Sequence, residues 1–391
     1  MAGLTLGQVL RGVLASPQAA TLRLSPHQWQ TVRALAACRT SALGGQLFRC
    51  TACQREHFVA HSCRNRHCPQ CQGSLAVAWL EQQAENLLPI PYFHLVFTVP
   101  HGFNGLLRQN QKALLDLLFA AASQTLLTFG QERFGARIGV TAVLHTWSQT
   151  LAEHYHLHCI VTGGGLTPAG DGWVPSPAHY LFPVRALSVM YRAKFLAGLA
   201  ERHQSQGLEF HGQLAPLANP KAFSALLQTA AAQPWVVYAK RPFAGPRQVL
   251  AYLSRYTHRV AISNRRLLQA DEQSVAFDYK DYADGARHKT MTLEKMEFVR
   301  RFCRHILPAR FVKIRHYGLL GNRQRRQRLA RAREVLGVQG TAMGEQAKPA
   351  PAVTPPPSAP CCPFCQQATL VRLREVAPVR ARPPPPNLDA S

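Results

Sequence analysis

Acidic residues are scarce in this chain: its 391 residues hold 20 Asp and Glu against 45 Lys and Arg, a formal charge of +25 with a sequence pI near 10.3. Such an excess is hard to sustain unless a polyanion offsets the self-repulsion, so nucleic acid is the first candidate partner and a membrane surface the second. An uninterrupted run of about 18 apolar residues, which a membrane span requires, is also missing. The N-terminal MAGLTLGQVLRGVL has no basic leader before an apolar stretch. Membrane insertion and export are thereby disfavoured, and a soluble intracellular protein is expected. There is no internal repeat. A disulfide framework is disfavoured as well, because 11 cysteines is an odd number and no export signal accompanies them. Metal binding is the leading explanation for nine of them, while Cys159 and Cys303, alone in apolar or helical contexts, read as core thiols.

The length fits two or three folding units. Residues 1–35 read as a helical lead-in to a cysteine- and histidine-dense block, Cys38 to Cys71, which has too few large apolar residues to fold by burial alone. Leu75 to Leu88 reads as a connecting helix ended by Pro89 and Pro91. FHLVFTVP (Phe93 to Pro100) reads as a buried strand, and Leu106 to Phe129 as one or two helices. Ile138 to Trp147 and His156 to Thr162 form an expected hairpin, followed by helices around Arg185 to Arg202 and Pro220 to Ala232. A strand from Trp235 to Lys240 precedes a helix opened by Gly245 and Pro246, which carries YLSRYTHRV. Ser274 to Tyr282 and Arg287 to Leu293 form a second hairpin with Asp284 and Gly285 at its turn. Connections this short imply an α+β fold around a mainly antiparallel sheet. After about Gly337 the composition shifts to Ala, Pro, Gln and Ser, an extended, disordered tail interrupted by CCPFC (Cys361 to Cys365).

CTAC (Cys50 to Cys53) and CPQC (Cys68 to Cys71) can each place two thiolates on one ion from a tight turn, so a four-cysteine structural zinc site is expected from Cys50, Cys53, Cys68 and Cys71. Cys38, Cys63 and His67 remain, with His57 and His61 nearby, and could complete a second tetrahedral site; buried thiols and a structural or DNA-facing His67 are the alternative. Arg64 and Arg66 flank Asn65 directly before the second pair, where they could meet phosphates or base edges. The tail motif supplies only half a zinc ligand set, so a C-terminal ribbon is not expected.

His154, His156 and His158 alternate along an expected strand and therefore project from one face, where two neighbours could chelate a divalent cation. Tyr252 and Tyr256 lie four apart on an expected helix, which stacks both phenols on one face. Packing is the commoner use of such tyrosines. Here, however, Arg255, His258 and Arg259 surround them and could hold a phosphate and favour the phenolate. A metal ion on the scissile phosphate and a phenol attacking phosphorus make chemical sense together.

Five blocks, SCRNRHCPQCQ (Ser62 to Gln72), PYFHLVFTVP (Pro91 to Pro100), HLHCIVTGGGL (His156 to Leu166), YLSRYTHRVAISN (Tyr252 to Asn264) and RHYGLLGNR (Arg315 to Arg323), together resemble the IS91 family of two-tyrosine HUH transposases, which carry an N-terminal zinc-binding domain. The resemblance spans about residues 20 to 330. It implies that His156 and His158 bind the catalytic ion, Mg2+ or Mn2+, and that Tyr252 and Tyr256 are the nucleophiles in a ferredoxin-like HUH core. By analogy with other HUH nucleases Gln149 is the expected third ligand, with His258 and His154 as rivals. The expected layout is an N-terminal zinc-binding domain over residues 1–88, a catalytic domain over 89–300, a basic segment over 301–336 and a tail over 337–391.

Arg323, Arg325, Arg326, Arg328, Arg331 and Arg333 make the basic segment a candidate phosphate-tracking arm. The expected activity is nicking and rejoining of single-stranded or melted DNA at transposon ends, on the nucleoid in the bacterial cytoplasm. A plasmid replication initiator or relaxase of the same chemistry, and an inactive zinc-dependent DNA-binding descendant, are the alternatives.

Overall fold

The computed structural model describes residues 3–84, 86–243, 248–249, 257–338, 361–366 and 369–379. Every strand pairing among them is antiparallel, in three sheets. The expected mixed α+β fold with antiparallel sheets is therefore present.

The central sheet runs β11-β4-β5-β3-β7, with β6 (Trp173–Pro175) added beside β5. Its strands are β3 (Tyr92–Thr98), β4 (Arg137–Trp147), β5 (Glu153–Leu166), β7 (Val237–Phe243) and β11 (Ile314–Gly318). Helices α4 (Asn104–Gln109) and α5 (Gln111–Phe134) join β3 to β4, and α6 (Val184–Gln204) and α7 (Pro220–Ala232) join β5 to β7. Side chains alternate across a strand. Thus Phe93, Leu95 and Phe97 of β3 and Tyr155, Leu157, Cys159 and Val161 of β5 enter one core with α5 and α6, and the intervening histidines take the other face. Among the described residues α5 is the one helix long and apolar enough to cross a membrane, and here it fills that core. Gly135 in the left-handed conformation ends it. At Gly318, with φ +61°, an added Cβ would lie 2.0 Å from the Ile138 carbonyl oxygen, so only glycine lets the chain turn back after β11.

A second core joins the N-terminal helices to residues 261–306. Helices α1 (Leu6–Leu14) and α2 (Pro26–Ala37) start with capping boxes, Thr5 with Gln8 and Ser25 with Gln28. Their apolar faces pack with the helix Lys295–Arg304 and the sheet β10-β9-β8 (Arg287–Glu294, Ser274–Asp281, Leu267–Ala270). The first 37 residues thus pack well beyond the expected boundary at residue 88. The expected basic segment 301–336 is likewise divided, because β11 is an edge strand of the central sheet and Leu329 and Ala332 of the helix Arg325–Val335 are buried.

The third sheet is β12-β1-β2, from Leu370–Val376, Gly45–Cys50 and Glu56–Ala60. Part of the expected extended tail is therefore a paired strand, while 339–360 and 380–391 lie outside the described residues. Helix α3 (Pro69–Ala84) starts inside the second cysteine pair, earlier than the expected Leu75.

Candidate active site and cysteine clusters

The histidine site grows from the β4–β5 register. His145 pairs with His156, and cross-strand partners project from the same face. One ring nitrogen from each of His145, His156 and His158 lies within 4.8 Å of the others. Trp147 stacks on His145 at 4.7 Å, fixing the plane of that ring. His156 Nδ1 is 2.9 Å from the His154 carbonyl oxygen, an N–H donation that turns the Nε2 lone pair outward. His158 Nδ1 is 2.9 Å from Nε2 of His94. Burial pushes His156 down to about 4 and His94 to about 3, and His158 falls furthest, so these rings are neutral near pH 7 with lone pairs for a cation. The buried acid Glu153 is already engaged by Arg108 and by the Tyr155 hydroxyl at 2.9 Å.

These histidines open into a cleft of about 550 Å3 that also meets Arg259, Gln149 and Tyr282. The residue that joins His156 and His158 in this cluster is His145, and Gln149, the expected third ligand, lines the same cleft. Gln149 sits in the turn closed by the Ser148 N–H donating to Ala152 O at 2.9 Å, beyond the ladder that aligns donors with His156. Of the rivals, His154 bonds His101 across 3.1 Å, and His258 lies edge-on to Trp79. His94 and His145 were missed in the sequence. The available signal was a histidine inside an otherwise apolar strand in each case. Tyr252, Tyr256 and Arg255 lie outside the described residues, but their flanks are described. Val249 joins the small core with Tyr92 and Ile160 on the histidine face, and Arg259 lines the cleft.

The cysteines form two separate groups, Cys38 with Cys63, Cys68 and Cys71, and Cys50 with Cys53, Cys362 and Cys365. The two sequence pairs expected to share one ion are therefore split. Strand β1 carries Cys50 away to the β12-β1-β2 sheet, whereas Cys68 and Cys71 start α3 beside Cys38 at the end of α2. In the first group the sulfur separations Cys38–Cys71, Cys38–Cys68 and Cys63–Cys71 are 3.6, 3.6 and 3.7 Å. His67 stays outside it, with Nε2 3.4 Å from the Leu307 N–H and its basicity pushed down to about 3 by burial. His57 and His61 instead line a cleft of about 1140 Å3 with Arg39, Arg64 and Phe58. Cys159 and Cys303 are buried in the two main cores, as expected.

The arginines expected to meet DNA also divide. Arg66 donates to the carbonyls of Leu307, Pro308 and Phe311 and so holds a loop, whereas Arg64 is exposed. Arg323 and Arg326 are exposed and Arg325 half-buried, while Arg328 and Arg331 donate to the carbonyls of Gly318 and Gly170.

Residues 11–99 match the family model described as "Transposase zinc-binding domain", and residues 139–328 match the one described as "Putative transposase". A Sinorhizobium fredii protein called "Putative transposase y4qJ" is 44% identical over 328 residues, covering 83% of this chain and 82% of that one. The "Transposase for insertion sequence element IS801" of Pseudomonas savastanoi pv. phaseolicola is 30% identical over 310 residues, covering 78% and 73%. No solved structure matches the chain. The match to a zinc-binding domain and the cysteine clusters suit structural zinc. With two curated transposases matched over most of their length and both family models in order, the chain belongs to the IS91 family of transposases.

Proposed function

We propose that this transposase is a two-tyrosine HUH nuclease that nicks one strand of single-stranded or melted DNA at insertion-sequence ends and passes it on through 5′-phosphotyrosine linkages, as rolling-circle transposition requires. The observation that carries this reading is the convergence of His145, His156 and His158 in a cleft shared with Arg259, three residues from Tyr256. The strand–helix–strand–strand–helix–strand order with β4-β5-β3-β7 neighbours supports a ferredoxin-like HUH core.

His145, His156 and His158 would hold a divalent cation, Mg2+ or Mn2+, whose charge neutralises the scissile phosphate. An all-imidazole set favours Mn2+, since Mg2+ prefers oxygen donors and near-ideal octahedral geometry. Trp147 and the Nδ1 partners of His156 and His158 orient the rings, and Arg259 offers a phosphate fork. The phenolate of Tyr252 or Tyr256 attacks phosphorus, and the bond to the 3′ oxygen breaks. The leaving oxygen takes up a proton to become a 3′ hydroxyl. The phosphotyrosine conserves the phosphodiester, so a 3′ hydroxyl can reverse the step without a nucleotide cofactor. The substrate would be DNA of the bacterial nucleoid, in the cytoplasm.

Incubating labelled single strands with Mn2+, then mapping the covalent adduct by mass spectrometry, tests this. DNA should be found on Tyr252 or Tyr256. Single Tyr→Phe variants should keep some nicking of short oligonucleotides but lose full transposition, and the double variant should form no adduct. An adduct on Tyr279 or Tyr282, or cutting by the double variant, would refute the two-tyrosine mechanism. Tyr155 is fully buried with its hydroxyl on Glu153, which leaves it no access to DNA.

A further inference from the structure

The matched zinc-binding domain ends at residue 99, yet two of the four cysteines around Cys50 come from the far end of the chain. Two turns face each other there with the same backbone geometry. Gln54, directly after Cys53, has φ +58°, and its N–H donates to the Cys50 carbonyl at 2.9 Å. Gln366, directly after Cys365, has φ +59°, and its N–H donates to the Cys362 carbonyl at 2.8 Å. Each turn aims two sulfurs inward. Cys68 and Cys71, by contrast, open a helix.

Sulfur spacing identifies the occupant. Four thiolates about 2.3 Å from one zinc at tetrahedral angles sit about 3.8 Å apart. Here Cys50 and Cys365 are 3.5 Å apart and Cys53 and Cys362 3.6 Å, too long for the roughly 2.05 Å of a disulfide and close to a zinc tetrahedron. The backbone N–H of Cys53, 3.5 Å from Cys50 Sγ, and the Thr369 hydroxyl at 3.1 Å supply donors to a thiolate at Cys50.

The attached strand needs such an anchor. Strand β12 pairs with β1 from Gly45↔Val376 to Cys50↔Leu370, but Val371 and Leu373 are 51% and 42% exposed, so little apolar burial holds it.

We propose that Cys50, Cys53, Cys362 and Cys365 form a second structural zinc site, a ribbon that clasps the C-terminal segment to the N-terminal module. The bridged cysteines are more than 300 positions apart in sequence, with Cys53 and Cys362 separated by 309. The clasp therefore closes only when the C-terminal segment is present, whereas the Cys38 cluster draws all its ligands from residues 38–71. This reading is independent of the nuclease chemistry.

Metal analysis of the full-length protein purified under reducing conditions should give two zinc ions per chain. Cys362→Ser with Cys365→Ser should give one, and Cys361→Ser, at an exposed position outside the cluster, should still give two. Two zinc ions in the double variant, or one in the native chain, would overturn the clasp. A second experiment does not depend on the double variant folding. With a protease site inserted after Ala350, the cleaved C-terminal fragment should stay bound in zinc-containing buffer and leave on chelation. A fragment that separates in zinc, or stays after chelation, also overturns the proposal.

Discussion

His145 is 11 residues upstream of His156, and only the strand register sets them side by side. The HxH pair was legible because a period of two puts His156 and His158 on one face whatever the strand pairs with. A third donor depends on where the hairpin turns. Gln149 lies past the end of the ladder, which shifts at a bulge between His145 and Trp147 before the chain reverses through Ser148 to Ala152, so its place relative to the histidines cannot be read from a period of two. A graded series of variants should follow. His145→Ala should abolish metal-dependent nicking as fully as His156→Ala or His158→Ala, with DNA binding retained on the basic surfaces. Gln149→Ala should nick nearly normally. His94→Ala, which removes the partner of His158 Nδ1, should raise the Mn2+ concentration for half-maximal nicking by about 10- to 100-fold. Nicking lost in the glutamine variant and kept in His145→Ala would reverse the assignment.

Elements were more legible than their partners. The hairpins β4–β5 and β9–β10, the buried strand β3 and helix α7 all lie where periodicity and turn residues put them. What α1 packs against was not legible, because a helical apolar stripe declares that a face is buried and not what buries it. Leu6, Val9, Leu10 and Val13 meet a core built from residues far later in the sequence, including Met296, Val299 and Phe302. β11 was hidden for a different reason, since its Arg315 belongs to a run of arginines that reads as an arm. In the structure that guanidinium pairs with Asp116 and lies 4.2 Å over the Phe119 ring. If α1 is part of the core, Leu10→Ala, at a fully buried position, should cost about 3–5 kcal/mol, read as a lowered urea midpoint at constant zinc. A change below about 1 kcal/mol would mean that α1 is only appended to the surface.

At the scale of the whole molecule the charge of +25 has two destinations. Some guanidinium groups replace missing internal donors. Arg66 serves three carbonyls of the loop after the helix Lys295–Arg304, and Arg328 caps the turn at Gly318. Other guanidinium groups have no hydrogen bond or ion pair among the described residues, Arg323, Arg325 and Arg326 being a clustered example just after the edge strand of the central sheet. Local sequence does not separate the two kinds, because Arg64 and Arg66 are two residues apart and differ in fate. Salt dependence does. For a single strand each neutralised phosphate adds about 0.7 to the slope of log affinity against log salt, because counterions are released. Replacing Arg323, Arg325 and Arg326 together by alanine should therefore flatten that slope by about 2 while leaving the urea midpoint unchanged. Nicking at saturating DNA should persist, since the histidine cleft is untouched. Arg66→Ala should do the opposite. Its slope should stay at the native value, and stability should fall by roughly 3 kcal/mol because buried carbonyls lose charged donors. Filter binding at several salt concentrations, paired with denaturation of the same samples, reads both quantities. A native slope in the triple variant would remove the basic segment from the DNA path and leave the cleft beside Arg64 and Phe58 as the surface that tracks phosphate.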